Sequence, residues 1–598
     1  MGRLQPEAEP ATLGPGGRGM IRSVAEFLDE AKGYAPRQVE RDLIAACRDG
    51  KPLDLGDLPA EGDTTREIRA DLLRLIITGG TPECGLHPVG IMLSGAFISG
   101  TLDLQFAKGR GLVALHKCRF TERPNLAQAE IAQLSLQGSL LPGLFAQGIR
   151  VEGGLFLRGV TATGTVDVNG ARIIGQIDCD GATLDGGKDK GGRQQKALNA
   201  QGAEIGGNLF VRGLSATGTF DVSGARISGQ MECDGAILDG GMDRDGNRHR
   251  SLRAQGTEIA GSLFLRGAST RGMIDLNRAR IAGQLNFDGA KLDGGEDRRG
   301  HQRRALLAQR MSVASGFILY GIKSVLGQVH LGSAHVGDLE DDLGSWPRGE
   351  SDVYLNGFTY DLIGGSSPET FAERRDWLAR GSRFEGDFYP QPYTQLARVL
   401  RAAGHEGEAR KVLHERQKIL NAEARKAVFA RPQPRLWLWP FLPLLWFWRW
   451  ITDLLLRAIV GYGFAPVRAL LTTALVVGLA ALGFSLAYAL GAMVPASDVI
   501  LTSLAWWLAV LQSPDAPTLI WQDHHPAPHY ETFYALAYAF DVFVPLVDLG
   551  QQSAWSATTV TTLGLWARFG TMALEVAGWL VTALGAAAVT GIIQRDKD

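Results

Sequence analysis

The feature that most constrains the fold is a repeat. From about residue 148 to 309 the chain returns to the same residues every 54 positions. Gln147, Gln201, Gln255 and Gln309 each follow an alanine at that spacing. Arg158, Arg212 and Arg266 keep it, as do Asp167, Asp221 and Asp275, and Arg172, Arg226 and Arg280. A shorter unit of 11 lies inside, marked by Gly202, Gly213, Gly224 and Gly235; four units make 44, and the remaining 10 residues are an insertion in the fourth. The same register reaches back to Gly95, Phe106 and Lys117. A fixed period of this size marks stacked repeats, none of which can bury its apolar face alone.

Within one unit Ala203, Ile205, Gly207, Leu209 and Val211 alternate with polar residues or glycine. Period two is the strand period, and the recurring glycines permit corners that a side chain would obstruct. Together these predict a β-solenoid over 85–345. Two units give a coil of 22 residues, although about 18 would also divide the repeat. The longer coil is preferred, because the insertion then becomes a loop outside it. Cys179 and Cys233 share one repeat position, which the third copy fills with Phe287. They are therefore expected as core residues rather than ligands or nucleophiles, and Cys118 falls in the same class. The Arg and Asp series are expected outside, as solvated and mutually neutralising ladders.

The insertions at 186–196, 240–250 and 294–304 would leave one edge of the coil at regular vertical spacing. They hold eleven Lys and Arg, among them Lys188, Arg193, Arg248, Arg250, Arg298, Arg299, Arg303 and Arg304, against five acids. Such a basic ridge is a candidate anion-binding surface for anionic lipid, nucleic acid or an acidic protein partner, beside the plainer reading of a solubilising fringe. The whole chain, with 61 Lys and Arg against 63 Asp and Glu, carries no strong nucleic-acid signal. Five cysteines in 598 residues do not make a disulfide framework.

Residues 1–20, rich in Gly and Pro and without an apolar stretch, read as a disordered tail with no signal peptide. Gly14-Pro15-Gly16-Gly17-Arg18-Gly19 formally matches a dinucleotide fingerprint, but no strand precedes it to aim a helix at a pyrophosphate. Amphipathic helices are predicted at 22–32, 37–48 and 64–78, the last opened by a Thr64–Glu67 capping box. They form a helical cap over 21–84. After the solenoid, a helical stalk is expected over 346–435, with a helix–turn–helix at 392–426 around Gly404-His405. Between 401 and 435 there are nine Lys and Arg against four Glu, the pattern of the cytoplasmic side of a membrane anchor.

The remaining segment, 436–598, holds 11 of the 13 tryptophans and reads as an α-helical membrane domain. Residues 469–494 carry no charge and 569–593 only Glu575, and each is long enough to span a bilayer. Residues 436–450 are aromatic and broken by proline, as in an interfacial belt. The stretches 498–511 and 531–549 are apolar but short, hence re-entrant or interfacial. Between the spans, 495–568 has six acids and Arg568 alone as a cation, whereas Arg449, Arg457, Arg468, Arg595 and Lys597 flank them. The positive-inside rule then places both termini and the solenoid in the cytoplasm, at a bacterial inner membrane. Asp541, Asp548 and Glu575 are candidates for an ion or proton path. His524, His525 and His529 are candidate ligands for Zn²⁺ or Cu²⁺, beside the reading of an ordinary polar loop.

Several stretches carry a family resemblance. They include Ile68-Arg69-Ala70-Asp71-Leu72-Leu73, Leu93-Ser94-Gly95-Ala96-Phe97-Ile98, Gly357-Phe358-Thr359-Tyr360-Asp361 and Gln391-Pro392-Tyr393-Thr394-Gln395-Leu396. In the membrane region they are Gly461-Tyr462-Gly463-Phe464-Ala465-Pro466 and Pro545-Leu546-Val547-Asp548-Leu549-Gly550. Over most of residues 65–593 the chain resembles a bacterial family of uncharacterised membrane-associated repeat proteins, whose members are often labelled membrane-associated oxidoreductases. Its repeats are also similar to pentapeptide-repeat and bactofilin solenoids, a resemblance that implies scaffolding or polymerisation. No cofactor loop, C-x-x-C or haem motif accompanies the oxidoreductase label, and no cofactor or catalytic residue is assigned. The leading expectation is a membrane-anchored, non-catalytic solenoid scaffold or sensor, with the membrane, an acidic partner and further copies of the chain as candidate partners. The alternatives are a channel- or transporter-like protein regulated by the solenoid, and the oxidoreductase of the label.

Overall fold

The computed structural model describes residues 36–79, 87–242, 246, 248–296, 301–349, 352–430, 446–447, 449–450, 467–525 and 527–589. The expected tail, the helix at 22–32, most of the 436–450 belt, and Arg298 and Arg299 of the ridge lie outside them. The chain forms two compact units, Met1–Glu406 and Gly407–Asp598.

In the first unit each coil is built from four short strands. One coil runs through Arg150–Val151, Leu155–Phe156, Thr161–Ala162 and Val166–Asp167. The next repeats it at Arg172–Ile173, Ile177–Asp178, Thr183–Asp185 and Leu198–Asn199. Equivalent strands pair in parallel from coil to coil. Arg150 lies opposite Arg172, Arg172 opposite Glu204, and Glu204 opposite Arg226, steps of 22, 32 and 22 residues. The coil is thus 22 residues, and every second coil carries the 10-residue insertion. Val151, Ile173, Ile205, Ile227, Ile259 and Ile281 stack as one buried wall, and Leu155, Ile177, Leu209, Met231, Leu263 and Leu285 as the next. Cys118, Cys179 and Cys233 are free thiols inside this core. Burial pushes the Cys118 thiol up to about 12 and those of Cys179 and Cys233 higher still, so none is a nucleophile at neutral pH. Phe287, at the position of those two cysteines, packs edge-on against Phe317 with ring centres 6.2 Å apart.

The corner glycines serve two different ends. Gly224 has φ +67 with nothing near the place a Cβ would occupy, so its role is the left-handed backbone alone. Arg278 and Arg310 hold the same corner at φ 56 and 54 and bear that strain. Gly175 has no such φ, but a Cβ there would lie 2.7 Å from the Gly153 carbonyl oxygen of the preceding coil. Here glycine is needed because two backbones meet.

Pairing extends beyond the expected limits at both ends. Leu53–Asp54 pairs with Leu93–Ser94, and Glu67–Arg69 with Phe97–Ser99, so the predicted helix at 64–78 is corrected. Thr64–Arg66 is a 3₁₀ turn capped by Asp63, Glu67–Arg69 is a strand, and the helix proper is Ala70–Ile77. Fully buried Ile68 serves the first coil better as an inward strand residue than as part of a helix face. Glu40, on the helix Gln38–Asp49, accepts bonds from the Arg69 amide and guanidinium. Burial opposes its charge, but the bonds from Arg69 and from the Arg37 amide outweigh that and hold its carboxyl below the usual range. At the other end, Val353–Tyr354 and Thr359–Ile363 are strands inside the expected stalk. The helix Gln391–Ala402 closes that edge: Gln391 binds the Gly357 amide and the Phe358 carbonyl, and Gln395 binds the Tyr360 carbonyl at 2.6 Å. Both open ends of the sheet are thereby covered. The helix–turn–helix is present, with Glu406–Ala430 following Gly404.

The ladder expectation is corrected in part. Arg172, Arg226 and Arg280 are exposed, but they pair with Glu204 and Glu258, with Arg280–Glu258 at 2.9 Å. The Asp series is buried: Asp167, Asp221 and Asp275 are 8%, 0% and 2% exposed.

In the second unit the helices Val467–Ala489, Ala535–Phe543 and Thr562–Val589 pack through Phe484, Ala487, Tyr538, Val542 and Leu574. Between them, Met493–Pro495 pairs antiparallel with Trp555–Ala557. Short helices Asp498–Leu501, Leu504–Gln512 and Pro517–Trp521 fill the intervening chain. Among the described residues one segment, Leu470–Ala489, is long and apolar enough to cross a membrane.

Candidate functional site

The three insertions are small hairpins, closed by the bridges Lys188–Gln194, Met242–Arg248 and Glu296–Gln302. They recur every second coil, about 10 Å apart at the usual strand spacing. They also touch: a Cβ on Gly241 would strike the Gln194 side chain below it, and one on Gly295 would strike Arg248. Arg303 Nη1 donates to the Arg248 carbonyl at 3.0 Å. The predicted ridge therefore exists as stacked hairpins, with Lys188 and Arg193 on the first.

The residue ending each hairpin reaches over the wall that carries the buried Asp series. Lys196 lies 2.8 Å from Asp221, and Arg250 donates to Asp275 at 2.9 Å. The third copy breaks this pattern. Its cation is Arg304, and the residue in the aspartate column is His330. Arg304 has no carboxylate partner among the described residues. Burial, with the Arg304 charge added to it, pushes the His330 imidazole down to about 4, so the ring is neutral at pH 7.

Between the second and third hairpins lies a cleft of about 500 Å³, bordered by Arg248, His249, Arg250, Arg303, Arg304 and Gln328. Arg248 is paired with Asp239 at 3.1 Å, and the Nε2 of His249 is buried without a hydrogen-bond partner. His249, Gln328 and His330 were not singled out by sequence. Gln328 and His330 come from a later coil, and only the stacking register brings them to the hairpins.

The other candidate residues are placed as follows. Asp541 is 4% exposed and accepts from the amides of Leu549 and Gln552 at 2.7 and 2.9 Å, while Asp548 accepts from the Gly550 amide. Both thus tie down the turn after the helix Ala535–Phe543, and Glu575 stands exposed on Thr562–Val589. His524 Nδ1 lies 2.9 Å from the Ile520 carbonyl oxygen, while the rings of His525 and His529 meet edge-on with centres 5.6 Å apart. No group of three His, Cys, Asp or Glu suited to a metal ion occurs among the described residues. No protein-family model matches the chain, and comparison with curated proteins gives no match.

Proposed function

We propose that the chain is a membrane-anchored, non-catalytic β-solenoid scaffold or sensor, whose hairpin ridge receives an anionic partner. The observation that carries the anchor is the surface of the helix Val467–Ala489. Leu470, Leu471, Leu475, Leu479, Leu482 and Leu486 are 58–72% exposed, an apolar face that water would not tolerate. Trp566, Phe569, Val576 and Trp579 continue this character on Thr562–Val589, which serves as the second span. The solenoid supports the scaffold half of the reading: three parallel sheets stacked coil on coil make a stiff support with an aliphatic core. In this reading both termini and the solenoid lie in the cytoplasm of a bacterial cell, at the inner membrane.

Carbonate extraction of membranes expressing the full chain tests the anchor. The protein is expected in the pellet at pH 11; release into the supernatant refutes the anchor. Reporter fusions at each terminus test the orientation, and activity of a periplasmic reporter at either one contradicts it.

A further inference from the structure

The hairpin cleft carries more than a general basic ridge, because its repeats provide an internal control. The three hairpins end in Gln194-Gln195-Lys196, Arg248-His249-Arg250 and Gln302-Arg303-Arg304. At the first step the glutamines are neutral and Lys196 is spent on Asp221. At the upper step the cleft is bordered by four guanidinium groups, of which Arg248 and Arg250 are balanced by Asp239 and Asp275. Arg303 and Arg304 are left without a carboxylate among the described residues. His330 stands where the repeat would supply one. Two unbalanced guanidinium groups, the His249 residue and Gln328 border one concavity of small-molecule size.

The geometry points to a binding site in this cleft for a phosphomonoester dianion. Two net positive charges match two negative ones. Planar guanidinium forks suit phosphate oxygens, which accept paired bonds from them. Gln328 on the cleft wall offers a further polar group. The source is either a small phosphorylated metabolite or a lipid bearing a terminal phosphate, since both present the same group. This inference deepens the sensor reading and depends on it only for what the ligand would signal.

The test uses the full chain in detergent micelles, titrated calorimetrically with glycerol 3-phosphate, with sulfate as the ionic control. A second arm uses the chain in phosphatidylcholine nanodiscs with and without phosphatidic acid, read by amide protection at 248–250 and 302–304. Saturable one-to-one binding is expected in at least one arm, with glycerol 3-phosphate favoured over sulfate. Arg304→Gln should weaken it about ten- to hundred-fold, the loss of one charge-assisted contact. His330→Asp should do the same by restoring the carboxylate that the other two copies have. Arg280→Gln, which removes an equal charge from the exposed ladder, should leave binding unchanged. Binding in the first arm assigns a soluble ligand, and binding in the second alone assigns a lipid. The site is overturned if neither arm saturates, or if Arg280→Gln weakens binding as much as Arg304→Gln. It is also overturned if a folded Arg304→Gln binds like the wild type. Carbonate extraction is indifferent to all these variants, so failure of the anchor and failure of the site are told apart.

Discussion

Arg374→Leu should open the C-terminal closure of the solenoid without unfolding the rest. Arg374 sits on the helix Phe371–Gly381 and is completely buried, as is its partner Asp341. Its two terminal nitrogens donate to the two carboxylate oxygens at 2.7 and 2.6 Å, its Nε donates to the Pro368 carbonyl, and the guanidinium lies over the Trp377 ring. Asp341 receives one further bond, from the Trp346 indole at 2.6 Å. Leucine fills the space but leaves a buried carboxylate with a single donor. Removing one partner of such a pair costs about 3–5 kcal/mol, far more than the pair contributes over an apolar substitute. In a stacked repeat the loss falls on the nearest interface, so the terminal helix should open locally. Hydrogen exchange of the full chain in detergent reads this directly. Amides of 371–381 should exchange about two to three orders of magnitude faster, while those of 200–260 keep their rates. Adding Asp341→Asn should recover much of the loss, because asparagine still accepts from Trp346 and carries no charge. Less than ten-fold acceleration in Arg374→Leu, or a double variant worse than the single one, would refute the reasoning.

Three further outcomes follow from the same interior. His330 titrates near 4 when folded and near 6.5 when unfolded, so the unfolded chain takes up the proton first and stability falls as pH drops through that window, by up to about 3 kcal/mol. Denaturant titrations at pH 7.5 and 4.5 measure the loss, and an unchanged slope in His330→Asn would contradict the assignment. Gly224→Ala should destabilise by about 1 kcal/mol, the strain of a left-handed corner, and Gly175→Ala by about 2–3 kcal/mol, because its Cβ must force two coils apart. The reverse order in thermal melts would overturn the distinction between the two glycine roles. In a Cys84→Ser background, a thiol reagent at pH 8 should label none of Cys47, Cys118, Cys179 and Cys233 until denaturant is added; prompt native labelling of any of them would show that its burial is incomplete.

The sequence by itself determined the solenoid, its preferred 22-residue coil, the inward columns and the core role of the cysteines. These are nearest-neighbour properties: a repeated coil meets only copies of itself, so period and alternation carry the packing. The basic hairpins were legible for the same reason. What sequence misassigned was set by partners in other coils. The Asp series looked like a surface ladder until Lys196 and Arg250 were seen reaching over it, and the predicted helix at 64–78 yields to the strand that the first coil requires. Above all, sequence spacing makes Lys196, Arg250 and Arg304 equivalent. Only the stacking register shows that the first two face a carboxylate and the third faces His330. Charge balance is decided by what lies one coil away, and that neighbour is fixed by the tertiary structure.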